Sequence, residues 1–400
     1  MRWGAERTAA PWRVAVGVAV AACALAGPAS AEMVRVLLLD RRASVQIEAA
    51  GGRVVEVRAA RGGLRLAGRP GGRALRFEGP GPQRVDGRRY RGAIEVMERS
   101  EGLRVVNEVP LEAYVAGTLL GEVGPDWGAA ALEAQAVATR SYALYRRSRN
   151  ASSMTSGLRS MTSGLRSTTR GLRGDFDLEA GTLGQVYLGM DGESAATWDA
   201  VDTTRGEVLA FGGEAILAAF HGTSGGRTAS AAEVWGEPVP YLVSQPVEGE
   251  EASPDTYWRA PLAADEFAAL LARAGRSLGR VRTVTVTART PSGRCAAVRI
   301  EGSRGTAELT GEALRGLLGE TRIRSTLFLV RRAGDGFVFV GSGRGHGVGM
   351  SQWGARVMAE RGADYRAILH RFYPGAELRH LAIEAAGAPA DAGPAGAGGS

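Results

Sequence analysis

Residues 126 to 146 constrain this chain most. Ala130, Ala134, Val137, Ser141 and Leu144 recur there at helical spacing, and most of them are small. A helix with such a face gains little from burying large side chains, so it favours close packing inside the protein. Asp126, after Pro125, is the expected N-cap, and the helix is expected to run to about Arg146. A shorter helix precedes it, opening at Pro110 and carrying Leu111, Tyr114, Val115, Thr118 and Leu119 on helical spacing. On the longer helix Glu133 and Arg140 are seven residues apart and share a face, either as an ion-paired edge of a cleft or as a solvated pair. Gln135 falls on a different face.

Around this helical pair the pattern is mixed. From Met33 to about Val106 it is β: Val34–Leu38, Val45–Ile47, Val54–Val57, Leu75–Phe77 and Ala93–Val96 are broken by Gly-Gly and Gly-Pro turns. Strands and loops are expected to alternate from Gln185 to Val247, followed by a helix near Ala264–Arg273. A strand pair at Val281–Val286 and Ala297–Ile300 comes next, then a short helix from Gly311. Strands at Thr326–Val330 and Gly336–Val340 precede helices near Ser351 and from Asp364 to Phe372. The fold class is therefore α+β, with a β-rich N-terminal portion (32–106) packed on a core domain (107–380).

Three segments stand apart. Residues 1–31 have a basic start (Arg2, Arg7, Arg13), a short apolar run and the small-x-small site Ala29-Ser30-Ala31, the signature of a cleaved export signal. A lipid-anchor alternative rests on Val20-Ala21-Ala22-Cys23. In residues 150–173 the heptad Ser153–Arg159 recurs identically at 160–166, then decays. The stretch Arg146–Arg173 holds seven Arg and no acidic residue, which suits an exposed loop insertion. The tail from about 385 is Ala/Gly/Pro and is expected to be disordered.

The net charge of +7 comes entirely from Arg on the basic side, since the chain has no Lys. Beside 58 Gly this reads as genomic bias, so the charge is weak evidence for nucleic acid; in an exported protein, anionic wall polymers are the nearer partners. Ordinary cleavage leaves only Cys295, which excludes an intrachain disulfide and places a small buried residue on a strand.

Glu122, in Leu119-Leu120-Gly121-Glu122-Val123, ends the first helix. The negative end of the helix dipole and the apolar neighbours Leu119, Leu120, Val123 and Trp127 both disfavour its ionised form. It is either a general acid that can later act as base, or a solvated helix-terminal glutamate. In His221-Gly222-Thr223-Ser224-Gly225-Gly226, the Gly-x-Ser-x-Gly spacing imitates a nucleophile elbow, but Gly225-Gly226-Arg227-Thr228 is a poor start for the helix that motif needs. A polar loop lining a cleft, with hydrogen bonds from His221 and Ser224, fits better. Trp235 and Tyr241 offer flat faces for sugars or are core aromatics. The segment Gly341–Gly354 alternates glycines around His346 and leads into Ser351-Gln352 at a helix start. It lacks a phosphate-loop Lys and the dinucleotide spacing, and is either a substrate-lining loop or a buried turn. The four histidines show no metal-type spacing, so no metal or cofactor is expected.

Together these motifs resemble the SpoIID/LytB family of stage II sporulation protein D, a peptidoglycan lytic transglycosylase, and the LytB amidase enhancers. The resemblance is carried by Asn107–Val115, Glu122 with Trp127, Ala131–Tyr142, Gly184–Gly189, His221–Thr228 with Val234-Trp235, and Gly345–Ala355. It implies that Glu122 is the catalytic acid/base and that Arg140 is the family's helix Arg. The substrate contacts it implies are Arg140, Gln135, Glu133, His221, Ser224, Gly225, Gly226, His346, Ser351 and Gln352. The implied reaction cleaves the linkage between N-acetylmuramic acid and N-acetylglucosamine, closing a 1,6-anhydro ring. The implied partners are glycan strands, denuded ones among sporulation members, and in the enhancer branch a cell-wall amidase. The sequence departs from sporulation members at Glu133, where they commonly carry Lys. It also departs before Gln185-Val186-Tyr187, where Leu183-Gly184 and their neighbours offer no zinc-binding Cys or His. A hydrolase would instead need Glu112, Asp126 or Glu133 as a second carboxylate.

Overall fold

A computed structural model describes residues 32–49, 52–124, 126–156, 174–181 and 185–381. The expected export signal, residues 157–173 of the insertion, Leu183-Gly184 and the Ala/Gly/Pro tail lie outside them. Helices and strands are interleaved in an α+β fold, and among the described residues no helix is long and apolar enough to cross a membrane.

The N-terminal part is β as expected. A five-stranded sheet has the order Leu178–Glu179, Met33–Arg42, Gly102–Pro110, Ala93–Arg99, Ala74–Phe77. Met33–Arg42 and Gly102–Pro110 run antiparallel, with Val34 opposite Val109 and Val36 opposite Asn107. Their alternate inward residues, Val34, Val36, Leu103, Val105 and Val109, are buried, as period-two strands require. A six-stranded sheet follows, from Arg69–Pro70 through Gly63–Leu66, Val54–Ala60, Ser44–Glu48 and Gln83–Val85 to Arg88–Tyr90.

Helix α1 is Leu111–Glu122 and helix α2 is Ala129–Ser156. Two expectations are corrected on α2. Asp126 is exposed in the preceding turn and does not cap the helix, whose first carbonyl acceptor is that of Gly128. The helix also continues ten residues beyond Arg146 into the start of the insertion, where no Gly or Pro interrupts it. The interval 185–247 is more helical than expected. It contains α3 (Ala195–Thr203) and α4 (Ala231–Trp235), opened by capping boxes from Ser194 to Thr197 and from Ser230 to Glu233.

The expected helices at Ala264 and Gly311 form as α5 (Ala264–Arg273) and α6 (Gly311–Leu318). Those near Ser351 and Asp364 form as α7 (Gln352–Glu360) and α8 (Tyr365–Phe372). The strand expected from Thr326 begins at Phe328.

Three large hydrophobic cores organise these elements. The first joins the N-terminal sheets to α1 and to Leu132, Ala136, Ala143 and Leu144 of α2, so it crosses the expected boundary at residue 106. The second takes Ala134, Val137 and Ala138 of the same helix and packs them on α7, α8 and the 209–242 segment. The third is closed by α5, α6 and the strands between Trp258 and Phe339. Because α2 feeds two cores, the end of α1 meets the start of α7 across it.

Candidate functional site

Glu122 is the last residue of α1, and Val123 closes the helix by donating its N–H to the Leu119 carbonyl at 2.9 Å. The segment 185–188 crosses directly over this end. A Cβ on Gly121 would lie 2.1 Å from the Val186 carbonyl oxygen, so only glycine permits the crossing. Val186 N–H then donates to Glu122 Oε1 at 2.6 Å. From the other side the Gln352 amide, at the start of α7, favours the charged form of the same carboxyl. Gln352 Nε2 also donates to Gln135 Oε1 at 3.4 Å, and Gln135 donates to Thr139 Oγ1 at 3.3 Å. Burial raises the Glu122 pKa above the ordinary carboxylate range, against the opposing pull of the Val186 and Gln352 hydrogen bonds. The structure thus brings Glu122, Gln135 and Gln352 together. A carboxyl that keeps its proton closer to neutrality, and has one polar side chain to steady its charged form, can give and retake that proton.

An aromatic wall adjoins it. Trp127 and Trp353 meet edge to face at 5.8 Å, and both are half-buried. The Arg356 guanidinium lies 4.8 Å over Trp353 and 5.8 Å from the Trp127 ring centre, tethered to Glu360 at 2.8 Å. Flat apolar faces capped by a cation suit the ring faces and hydroxyls of a saccharide. Arg356 carries no motif signal in the sequence; only its place one turn after Gln352 could have pointed to it.

Arg140 has a different role from the one its position suggested. It is fully buried and bound by Glu112, with Nε at 3.0 Å and Nη2 at 2.6 Å, while Nη1 donates to the Glu207 carbonyl at 2.9 Å. Of the two readings of Glu133 and Arg140, the ion pair does not form, since Arg140 pairs with Glu112. Glu133 looks instead toward α8, where burial raises its pKa and Arg366 opposes the rise. Arg140 is fully buried behind this pairing, so its guanidinium is not presented to a substrate.

The two glycine-rich loops are stitched to each other. Phe220–His221 pairs in parallel with Met350–Ser351, and Trp353 N–H donates to the Gly222 carbonyl at 3.0 Å. Gly349 sits at φ +73°, and a Cβ there would fall 1.9 Å from the Ala219 carbonyl oxygen. Buried between the loops is the carboxylate of Glu250, a residue with no motif to announce it. It accepts from Ser224 N–H at 3.0 Å, Ser224 Oγ at 2.5 Å, Gly225 N–H at 3.1 Å, Gly226 N–H at 3.2 Å and the Ser351 hydroxyl. The donors of Ser224, Gly225, Gly226 and Ser351 expected to face a substrate are therefore spent on an internal carboxylate. No helix follows Ser224, so the nucleophile-elbow geometry is missing as expected.

His221 donates from Nδ1 to the Val348 carbonyl at 3.1 Å, with Nε2 buried and unpartnered, and its ring lies 5.8 Å from that of His346. His346 accepts from Val348 N–H at 3.0 Å and packs against Trp235 at 5.5 Å. Burial and nearby Arg294 lower His221 to about 3; burial and His221 itself do the same to His346. Two neutral, packed imidazoles are structural here. Tyr241 is a core aromatic, its hydroxyl accepting from Leu217 N–H at 3.1 Å. Cys295 is a buried free thiol at the start of a strand.

Two cavities are found among the described residues, and the second includes Val186, whose N–H meets Glu122. One of about 380 Å³ is lined by Glu207, Arg366 and His380, the other of about 370 Å³ by Leu39, Tyr90 and Leu188.

Comparison with known proteins agrees with this geometry. A family model described as stage II sporulation protein matches residues 99–211, which contain α1, Glu122 and the described part of α2. Stage II sporulation protein D of Bacillus subtilis is 30% identical over 274 residues, covering 68% of this chain and 75% of that one. The chain belongs to the SpoIID/LytB family. Another relative is an uncharacterized protein of Brachyspira hyodysenteriae, 31% identical over 296 residues, 74% of this chain and 73% of its own. The amidase enhancer of Bacillus subtilis is 27% identical over 307 residues, 66% of this chain but 40% of its own length. A domain model of unknown function matches residues 233–349, so Glu250 and the third core lie within a recurring unit of their own.

Proposed function

We propose that this SpoIID/LytB family member is an exported peptidoglycan lytic transglycosylase acting in the cell envelope. Glu122, protonated, donates to the oxygen linking N-acetylmuramic acid to N-acetylglucosamine as that bond breaks. The ionised Glu122 then removes the proton from the muramoyl 6-hydroxyl, which attacks the anomeric carbon and closes the 1,6-anhydro ring. The observation that carries this reading is a single carboxyl, its pKa raised by burial, that accepts from Val186 N–H near the Trp127–Trp353–Arg356 wall. An internal nucleophile makes a second carboxylate unnecessary. The alternatives are engaged elsewhere: Glu112 by Arg140, Glu133 toward Arg366, and Asp126 in an exposed turn. That favours ring closure over hydrolysis.

The test incubates mature protein with sacculi and with denuded glycan strands, followed by analysis of the released ends. Anhydro-muramoyl ends are expected, and Glu122→Gln should lower their release by about 100-fold or more while glycan binding persists. Reducing ends would instead mean a hydrolase. A second reading is favoured by the amidase enhancer relative: the same surface holds glycan for a partner amidase and cuts nothing. Retained glycan binding with no release of either kind of end would select it.

A further inference from the structure

The cavity that includes Val186 is shaped by local features of three segments. In a regular strand, successive side chains point to opposite faces. Between Leu37 and Leu39, however, the pairing of Met33–Arg42 with Gly102–Pro110 slips by one residue. The resulting bulge lets Leu38 and Leu39 both line the cavity. The Asp86-Gly87 turn, at φ +46° and +86°, is a two-residue hairpin that pairs Arg88 with Val85 and brings both to the same wall. Val186 and Leu188 complete it and are pinned to α1. Val186 N–H donates to Glu122 Oε1 at 2.6 Å, and Leu188 N–H to the Gly117 carbonyl at 2.9 Å. The volume of about 370 Å³ falls within the roughly 300–1,000 Å³ typical of small-ligand sites.

Much of the lining is aliphatic: Leu38, Leu39, Val85, Ala180, Val186 and Leu188. Two charged side chains interrupt it. Asp86 is engaged by its own sheet, accepting from Gln46 N–H at 3.0 Å on Oδ1, with Arg42 at 3.8 Å from Oδ2. Arg88 is different. Its neighbours are neutralised, Arg89 by Asp191 at 3.0 Å and Arg91 by Glu193 at 2.7 Å, whereas Arg88 pairs with no carboxylate among the described residues. An aliphatic hollow with one unanswered cation suits a ligand that combines small apolar side chains with a carboxylate. A bare sugar ring fits it poorly, because its hydroxyls would meet few hydrogen-bonding groups.

We propose that this cavity is a subsite for the peptide that wall glycan carries on the lactyl group of N-acetylmuramic acid. The aliphatic wall takes the small side chains of the peptide, and Arg88 pairs with one of its carboxylates. The proposal rests on the reading of Glu122 as the acid at the scissile bond. The sugar cut there is the one whose lactyl group bears the peptide, and Val186 belongs to both sites. The chain then selects peptide-bearing strands, not the denuded ones that the likeness to sporulation members implied.

The experiment measures binding of purified glycan strands to the mature Glu122→Gln protein, so that nothing is cut. One set of strands keeps its peptides; the other is the same material after amidase treatment. Peptide-bearing strands are expected to bind about tenfold more tightly, the effect a hydrogen bond to a charged group commonly gives. Arg88→Gln in the same background should remove most of that difference, and its exposed position leaves the fold intact. Ala180→Trp, which fills the cavity, should remove it as well; if that variant does not fold, Arg88→Gln decides alone. Equal affinity for the two sets of strands before either change overturns the proposal. So does an Arg88→Gln protein that loses denuded strands to the same degree, since Arg88 would then hold their freed lactyl carboxylates. With Glu122 restored, a protein that shows the selectivity but releases no glycan ends keeps this subsite and loses only the transglycosylase reading. One that releases anhydro ends equally from both sets, with Arg88→Gln having no effect, keeps that reading and loses the subsite.

Discussion

Glu122 differs from the other acidic residues of α1 and α2 in its partners, not in its type. Glu112 is neutralised by a bidentate guanidinium, whereas Glu122 accepts from one backbone N–H and has no cation beside it among the described residues. The sequence pointed to Glu122 through its apolar neighbours and its place at a helix end. Nothing local could have shown that Gln352, 230 positions later, would meet it. Nor could the sequence have shown which glutamate of the run Glu248-Gly-Glu250-Glu251 turns inward, since all look like solvated charges. The histidines carry a pH-dependent consequence. In the folded protein His221 and His346 are lowered from the ordinary 6.5 to about 3. The unfolded chain therefore takes up protons below about 6.5 that the native state refuses. Stability must fall as pH drops from there toward 3, by up to about 1.4 kcal/mol per pH unit for each imidazole. His221→Asn keeps an N–H for the Val348 carbonyl but cannot titrate. Urea unfolding between pH 7 and pH 5 should show a shallower loss of stability in this variant than in the parent. Parallel slopes would mean that His221 is not held neutral.

At the scale of elements, α2 bears out the stripe of small residues. Ala134, Val137, Ala138 and Ser141 are fully buried, and the helix is shared by two cores. The strands were legible where apolar residues alternate, and the helices where a cap and a period coincide. The misses have physical causes: α3 and α4 are too short to show a period and are declared only by Ser-x-x-Thr and Ser-x-x-Glu boxes. Arg140 falls on the expected helix, but its partner Glu112 lies on α1 and leaves no trace in the spacing of α2, which suggested only Glu133. That pairing is testable. Arg140→Met fills a similar volume but leaves the half-buried Glu112 with only the Gly206 N–H at 3.2 Å. A loss of about 3–5 kcal/mol is expected in urea unfolding, because a charge is left without its partner. Glu112→Gln/Arg140→Met should recover part of it. A change below about 1 kcal/mol in the single variant would show the pair to be as inconsequential as an exposed one.

Across the whole molecule the three cores are not equivalent. The first two share α2, so neither can open without exposing the apolar face that the other uses. The third is assembled from Trp258 to Phe339, a continuous stretch of chain. It meets the second core through polar links, among them Arg294 to the carbonyls of Arg227 and Ser224 at 3.0 and 2.8 Å and Ser292 N–H to Glu233 at 3.0 Å. The Arg294 guanidinium keeps a buried Nε without a partner, and its pKa is lowered to about 10 by burial. A seam built from hydrogen bonds to one strained cation contributes less to cooperativity than a shared apolar helix. Native-state hydrogen exchange should therefore resolve two units. Amides of Val284, Val286, Val298 and Ile300 should exchange through an opening of lower free energy than those of Val137 and Ala138, which should require global unfolding. Raising urea below the midpoint should accelerate the first set before the second. A single common free energy for both sets would show that Arg294 couples the third core to the others as firmly as α2 couples the first two. Glu250, which lies where these units meet, would then report on the stability of the entire fold.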